Sequence, residues 1–122
     1  MNAPLHREMP GAPAWDAAAA LDQIGRQWDG DIVRRLSDYI AIPAKSLAFD
    51  PDWAAHGFID RVVRDAAQWV ESQKVPGLKL EVVRIDGRTP VIFFEIEGTK
   101  AGAAQTVLMY GHLDKQPEFT GS

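Results

Sequence analysis

The sequence predicts a mixed α/β fold, with an αβα sandwich that is incomplete within these 122 residues. Three observations predict this class. Apolar residues in the first half recur at steps of three and four, as in amphipathic helices. Residues 78–96 hold two β-rich stretches around a turn, as in a hairpin. Residues 106–110 are apolar on both faces, as in a central strand that is covered on each side.

The composition limits the class of protein. At 46% hydrophobic and 25% charged residues, the chain is typical of one globular domain. A net charge of −4 argues against a nucleic-acid partner. The absence of cysteine excludes disulfides and thiolate metal sites. No stretch is long and apolar enough for a membrane span or resembles a signal peptide, so we expect a cytoplasmic protein without a membrane partner.

Residues 1–15 are proline- and glycine-containing and predict a flexible arm before a domain portion at 16–122. The first helix is predicted over residues 16–40, with Asp16 as its N-cap. The segment Asp29-Gly30-Asp31 favours an interruption, and the Ile42-Pro43 step ends the helix. Its apolar stripe consists of Leu21, Ile24, Trp28, Ile32, Leu36 and Tyr39.

The second helix is predicted over residues 53–74, with Asp52 as its cap and Pro76-Gly77 as its stop. Its amphipathic pattern is typical of a helix that packs one face on a core. The predicted buried face consists of Phe58, Ile59, Val62, Val63, Ala66 and Val70.

Three strands are predicted next, at residues 78–85, 91–96 and 106–110. The first two are expected to form a hairpin around the turn at 86–90, and residues 98–105 a loop. Two helices cover only part of a sheet that is apolar on both faces. The last strand would then be an open edge. We therefore expect the opening portion of a larger α/β domain.

His112 and Asp114 follow the last predicted strand and are the candidate site residues. Imidazole is a common zinc ligand, and a carboxylate on its second nitrogen sets its tautomer. Residues two apart in extended chain point the same way, so Asp114 can orient His112 or act as a ligand itself. A surface turn with a solvated histidine would contain the same residues.

The pattern Gly-His-x-Asp-x-x-Pro, from Gly111 to Pro117, resembles the first metal-ligand motif of the M20 family of zinc metallopeptidases, in its dipeptidase and carnosinase-like branch. Residues 36–43 also resemble that family's opening helix and its Ile-Pro step. The resemblance covers most of the chain, from Ala17 onward. It implies that His112 is a ligand of one zinc in a two-metal site, and that Asp114 is the catalytic-site carboxylate that orients His112.

The resemblance also implies hydrolysis of a peptide, a dipeptide or a related amide bond, with zinc as cofactor and manganese or cobalt as alternatives. Family members run to several hundred residues and carry a bridging aspartate, a Glu-Glu pair and further ligands downstream of this motif. None has a counterpart here. Lys115 stands where many of these dipeptidases have a small apolar residue, which leaves the subfamily open. We expect an N-terminal fragment that is inactive alone.

Two other classes stay open. A non-catalytic chain would associate with a partner or a second copy through the strand at 106–110. A metal-binding module would complete its site with another subunit. The remaining polar candidates are expected to have ordinary roles: His6, His56, Lys115, Gln116 and Glu118 as solvated residues, and Asp50 and Asp52 as helix caps.

Overall fold

The computed structural model describes residues 15–98 and 106–119. The arm predicted for residues 1–15 lies outside them, apart from Trp15. The described residues combine helices with a two-stranded antiparallel sheet, so the mixed α/β class is confirmed. By their contacts they form two units, Met1–Ser37 and Asp38–Ser122.

The first predicted helix consists of three successive segments: α1 at Ala17–Gln27, a π-helical segment at Trp28–Ile32, and α2 at Val33–Ala41. The Asp16 carboxylate accepts a hydrogen bond from the Ala19 N–H at 2.9 Å, which confirms the predicted N-cap. The predicted interruption coincides with the π-helical segment. These three segments contain no buried residue.

The second predicted helix is divided, which corrects the prediction of one continuous helix. The segment α3 covers Trp53–His56 and α4 covers Phe58–Ser72. Between them Gly57 has φ +70°, a left-handed conformation that ends a helix and that glycine adopts without strain. Asp52 is the N-cap residue of α3, as predicted, but its side chain makes no capping hydrogen bond.

Strands β1 at Leu78–Val83 and β2 at Val91–Ile96 form the predicted hairpin, paired from Leu78 with Ile96 to Val83 with Val91. Half-buried and exposed residues alternate along β1, as its sequence pattern predicts. Helix α4 packs on both strands. The buried cluster consists of Ile42, Ala44, Ile59, Val62 and Val63, with Val82 and Ile92 of the hairpin packed against it.

The third predicted strand is not formed. Residues 106–110 are irregular, and Val107, Leu108, Met109 and Tyr110 are 85–91% exposed. A strand forms only when a neighbour satisfies its N–H and C=O groups, and within the described residues β1 and β2 pair only with each other. The prediction of a buried central strand is therefore corrected, and association through these residues stays a prediction.

None of the helices in the described part of the chain is long and apolar enough to cross a membrane.

Candidate functional site

The two candidate residues lie on the segment 111–118, which backbone hydrogen bonds join to the chain just after α2. The Lys115 N–H donates to the Ala44 carbonyl at 2.8 Å, and the Ser46 N–H donates to the Lys115 carbonyl at 2.8 Å. These bonds make a short parallel bridge between Lys45 and Lys115. Since Ala44 is fully buried, the bridge connects the candidate site directly to the core.

The residues of this segment differ in burial. Leu113 packs against the buried cluster, and Lys115 is half-buried beside it. The side chains of His112 and Asp114 are 66% and 40% exposed. His112 is therefore the more exposed of the pair, whereas Asp114 is half-buried like Leu113 and Lys115.

The geometry of the pair specifies a tautomer. Nδ1 of His112 lies 3.1 Å from Oδ1 of Asp114 and 3.0 Å from the Asp114 backbone carbonyl oxygen. Both neighbours are acceptors when the carboxylate is ionised, so this hydrogen-bond network assigns the ring proton to Nδ1. The lone pair is then on Nε2 of a largely exposed ring. An imidazole in this form, with a carboxylate on its N–H, is the usual arrangement of a histidine metal ligand.

Tyr39, near the end of α2, also binds the segment. Its hydroxyl donates to the Leu113 carbonyl at 2.6 Å. Burial raises the pKa of Tyr39, and the negative charge of Asp114 raises it further. The Asp114 carboxylate is therefore close enough to Tyr39 to influence it electrostatically.

The Lys115 side chain makes three contacts at the end of α2. Its ammonium donates to the Tyr39 carbonyl at 2.6 Å and to the Ile42 carbonyl, and it lies 4.0 Å from the centroid of the Tyr39 ring. Burial lowers the pKa of Lys115. The expectation of a solvated lysine was wrong, and no local signal would have corrected it, because Lys115 and Tyr39 are 76 residues apart.

Glu118 also has a partner. Its carboxylate lies 3.0 Å from the Lys45 ammonium. A backbone hydrogen bond and the charge of Lys45 lower the pKa of Glu118. The side chain is exposed, as predicted, but it joins the segment to the same stretch of chain that Lys115 contacts.

His56 is paired rather than freely solvated. Its Nδ1 lies 2.9 Å from Oδ1 of Asp50, and the hydrogen bond and charge of Asp50 raise the pKa of His56. This contact explains Asp50, for which helix capping was expected. His6 lies outside the described residues.

The side chains near His112 can be compared with the ligands that a zinc ion needs. Within residues 15–98 and 106–119, no group of three or more His, Cys, Asp or Glu side chains is arranged to hold an ion. Catalytic zinc generally has three protein ligands. His112 and Asp114 therefore fit one ligand with its orienting carboxylate, and the rest of a site would come from other residues.

No protein-family model matches the chain, and no curated protein matches it either. The resemblance to M20 peptidases therefore depends on the motif residues alone, and family membership stays a prediction.

Proposed function

We propose that this chain supplies one zinc ligand, His112, and its orienting carboxylate, Asp114, to the two-metal site of an M20-type hydrolase of the dipeptidase kind. The contact between the His112 ring and Asp114 is the observation that supports this proposal best. It leaves Nε2 free on an exposed ring, and it lies in the sequence motif Gly-His-x-Asp-x-x-Pro.

In this proposal each residue has a separate role. His112 binds the metal through Nε2, while Asp114 holds the proton on Nδ1 and makes the imidazole a stronger donor. A zinc ion held in part by His112 would supply Lewis-acid chemistry for hydrolysis of the amide bond. The substrate would be a dipeptide or a related amide. The general base, the other ligands and the remainder of an αβα sandwich would come from residues outside this sequence, so the chain alone would be inactive. Its cytoplasmic location also stays a prediction.

The test uses the protein expressed from its whole reading frame, assayed on unprotected dipeptides with Zn²⁺, Mn²⁺ or Co²⁺. His112→Ala should abolish hydrolysis and reduce the bound zinc, because a direct ligand is lost. His56→Ala is the matched control, since it removes another exposed histidine that also pairs with an aspartate. Full activity in His112→Ala would refute the proposal.

Asp114→Ala tests the orienting role in the same protein. It keeps the metal ligand but removes the carboxylate from Nδ1 of His112. We expect a loss of about 10- to 100-fold in zinc affinity or kcat, as is usual when such a partner is removed. Unchanged zinc affinity and kcat would show that Asp114 does not orient the ligand.

A second candidate function is association alone, and the exposure of residues 107–110 favours it. Contiguous apolar side chains in water are a common feature of interaction surfaces. Sedimentation velocity on the chain and on Leu108→Asp distinguishes the candidates. Zinc-independent association that the substitution abolishes supports this function, whereas association that requires zinc indicates a metal site shared between subunits. A monomer at all concentrations argues against both.

A further inference from the structure

We propose that Lys115 is a positioning residue, whose ammonium fastens the segment to the end of α2 and thereby holds the ring of His112 against Asp114. The inference depends on the proposed function only where activity and zinc affinity are measured. Its geometric part concerns the His112 tautomer, and it can be tested on the chain by itself.

The end of α2 presents carbonyl acceptors to the Lys115 ammonium. The last carbonyls of a helix have no partner within the helix, and the negative end of the helix dipole lies there. The Lys115 ammonium donates to two carbonyls at this end, those of Tyr39 and Ile42, and lies over the Tyr39 ring. Each of these carbonyls also accepts a backbone hydrogen bond, from the Ile42 and Ala44 N–H groups. The ammonium therefore adds a second, charged donor to each carbonyl, at a half-buried position near the negative end of the helix dipole.

The peptide between Asp114 and Lys115 makes a hydrogen bond with each of its polar groups. Its C=O accepts the hydrogen bond from Nδ1 of His112 at 3.0 Å, and its N–H donates to Ala44 at 2.8 Å. A peptide unit is planar, and in the trans form these two groups point in opposite directions. Anything that holds this N–H toward the core therefore also holds the C=O toward the imidazole.

The side chain and the backbone of Lys115 make different contacts. Any residue except proline could make the main-chain bridge at position 115, but only a long cation reaches the carbonyls of Tyr39 and Ile42. The Lys115 side chain therefore adds two hydrogen bonds on the core side of the peptide that His112 uses. Losing them should weaken the attachment at position 115, so that the main-chain bridge opens more often. In the open form the peptide can rotate, and the imidazole loses its backbone acceptor.

The experiment compares Lys115→Met with Lys79→Met. The control removes a lysine that is ion-paired with Glu97 on the hairpin, away from the segment. The first readout is the His112 tautomer in the chain, observed by long-range ¹H–¹⁵N NMR at alkaline pH, where imidazole is neutral. We expect Nδ1–H in the wild type and in Lys79→Met, and a shift toward Nε2–H in Lys115→Met.

The second readout is made on the product of the whole reading frame. Lys115→Met should lower zinc affinity or kcat by about 10- to 100-fold, with a smaller effect on KM, because the ligand is misoriented while the substrate contacts remain. Lys115→Arg should recover part of the loss, since its guanidinium can donate to both carbonyls.

The outcomes separate the two proposals. If Lys115→Met does not fold, Lys115→Gln replaces it, because its shorter side chain cannot reach the end of α2. A wild-type tautomer in a folded Met or Gln variant overturns the role of Lys115. If the tautomer shifts but His112→Ala retains full activity, the proposed function fails and the positioning role of Lys115 stands.

Discussion

Residues 107–115 contain two neighbouring stretches with opposite packing. Residues 107–110 are apolar yet exposed, whereas Leu113 and Lys115, one of them charged, are half-buried. The second stretch has partners: the Tyr39 hydroxyl, the Ala44 carbonyl and the Ser46 N–H bind its backbone. The comparison shows that apolar composition alone does not bury a segment. A surface that also satisfies its backbone polar groups is needed.

The largest change in the free energy of unfolding is expected when a packed apolar residue, rather than an exposed one, is truncated. Ile59→Ala removes a side chain from the buried cluster and should lower the free energy of unfolding by about 2–5 kcal/mol. Leu108→Ala, at an exposed position, should change it by less than about 0.5 kcal/mol. Urea unfolding measures both. Equal losses would mean that residues 106–110 are packed in solution.

Amide hydrogen exchange tests the same contrast along the backbone. The N–H groups of Ser46 and Lys115 are bonded across the bridge, so their exchange, corrected for intrinsic rates, should be at least about tenfold slower than that of Leu108 and Met109. NMR detection resolves the individual amides. Similar rates in the two stretches would contradict the anchoring of the segment.

Removing a hydroxyl group from a tyrosine should affect stability differently in the two stretches. Tyr39→Phe removes the hydrogen bond to the Leu113 carbonyl and should cost about 0.5–1.5 kcal/mol of stability. Tyr110→Phe changes the same atom in the exposed stretch and serves as the control. The two variants are compared by denaturant midpoint at constant slope. A loss confined to Tyr110→Phe would reverse the assignment of the two stretches.

The smallest effect concerns pH, at a contact outside the segment. The pKa of His56 is raised by Asp50, so the pair contributes stability in full below the ordinary histidine pKa of about 6.5. That contribution is lost as the pH rises through the raised pKa. We expect Asp50→Asn to reduce the fall in stability as the pH rises above about 6.5. An unchanged pH profile would show that the pair does not form in solution.

Local signals predicted most of the secondary structure. Asp16 caps α1, the Ile42-Pro43 step follows the end of α2, and β2 has the predicted bounds. These features depend on residues that are close in sequence. The break at Gly57 was missed, because a lone glycine in an amphipathic pattern does not reveal its φ before the chain is folded.

The candidate site was only partly accessible to sequence reasoning. The spacing of His112 and Asp114 predicted that their side chains lie on one side, and the hydrogen bond between them follows from that spacing. The contacts that hold the segment in place could not be predicted from the sequence. Tyr39 and Lys115 are brought together by the fold, and neither has a neighbour in the sequence that indicates the contact.

The sequence by itself determined the amphipathic helices, the hairpin and its alternation, and the His-x-Asp pair, because each depends on spacing within a few residues. Only the tertiary structure decided which apolar residues are buried and what holds the candidate site. Residues 106–110 have the composition of a strand but no strand partner among the described residues. A lysine in a loop is usually solvated, but the carbonyls at the end of α2 bind the Lys115 ammonium. Both outcomes depend on partners distant in sequence, which local patterns do not specify.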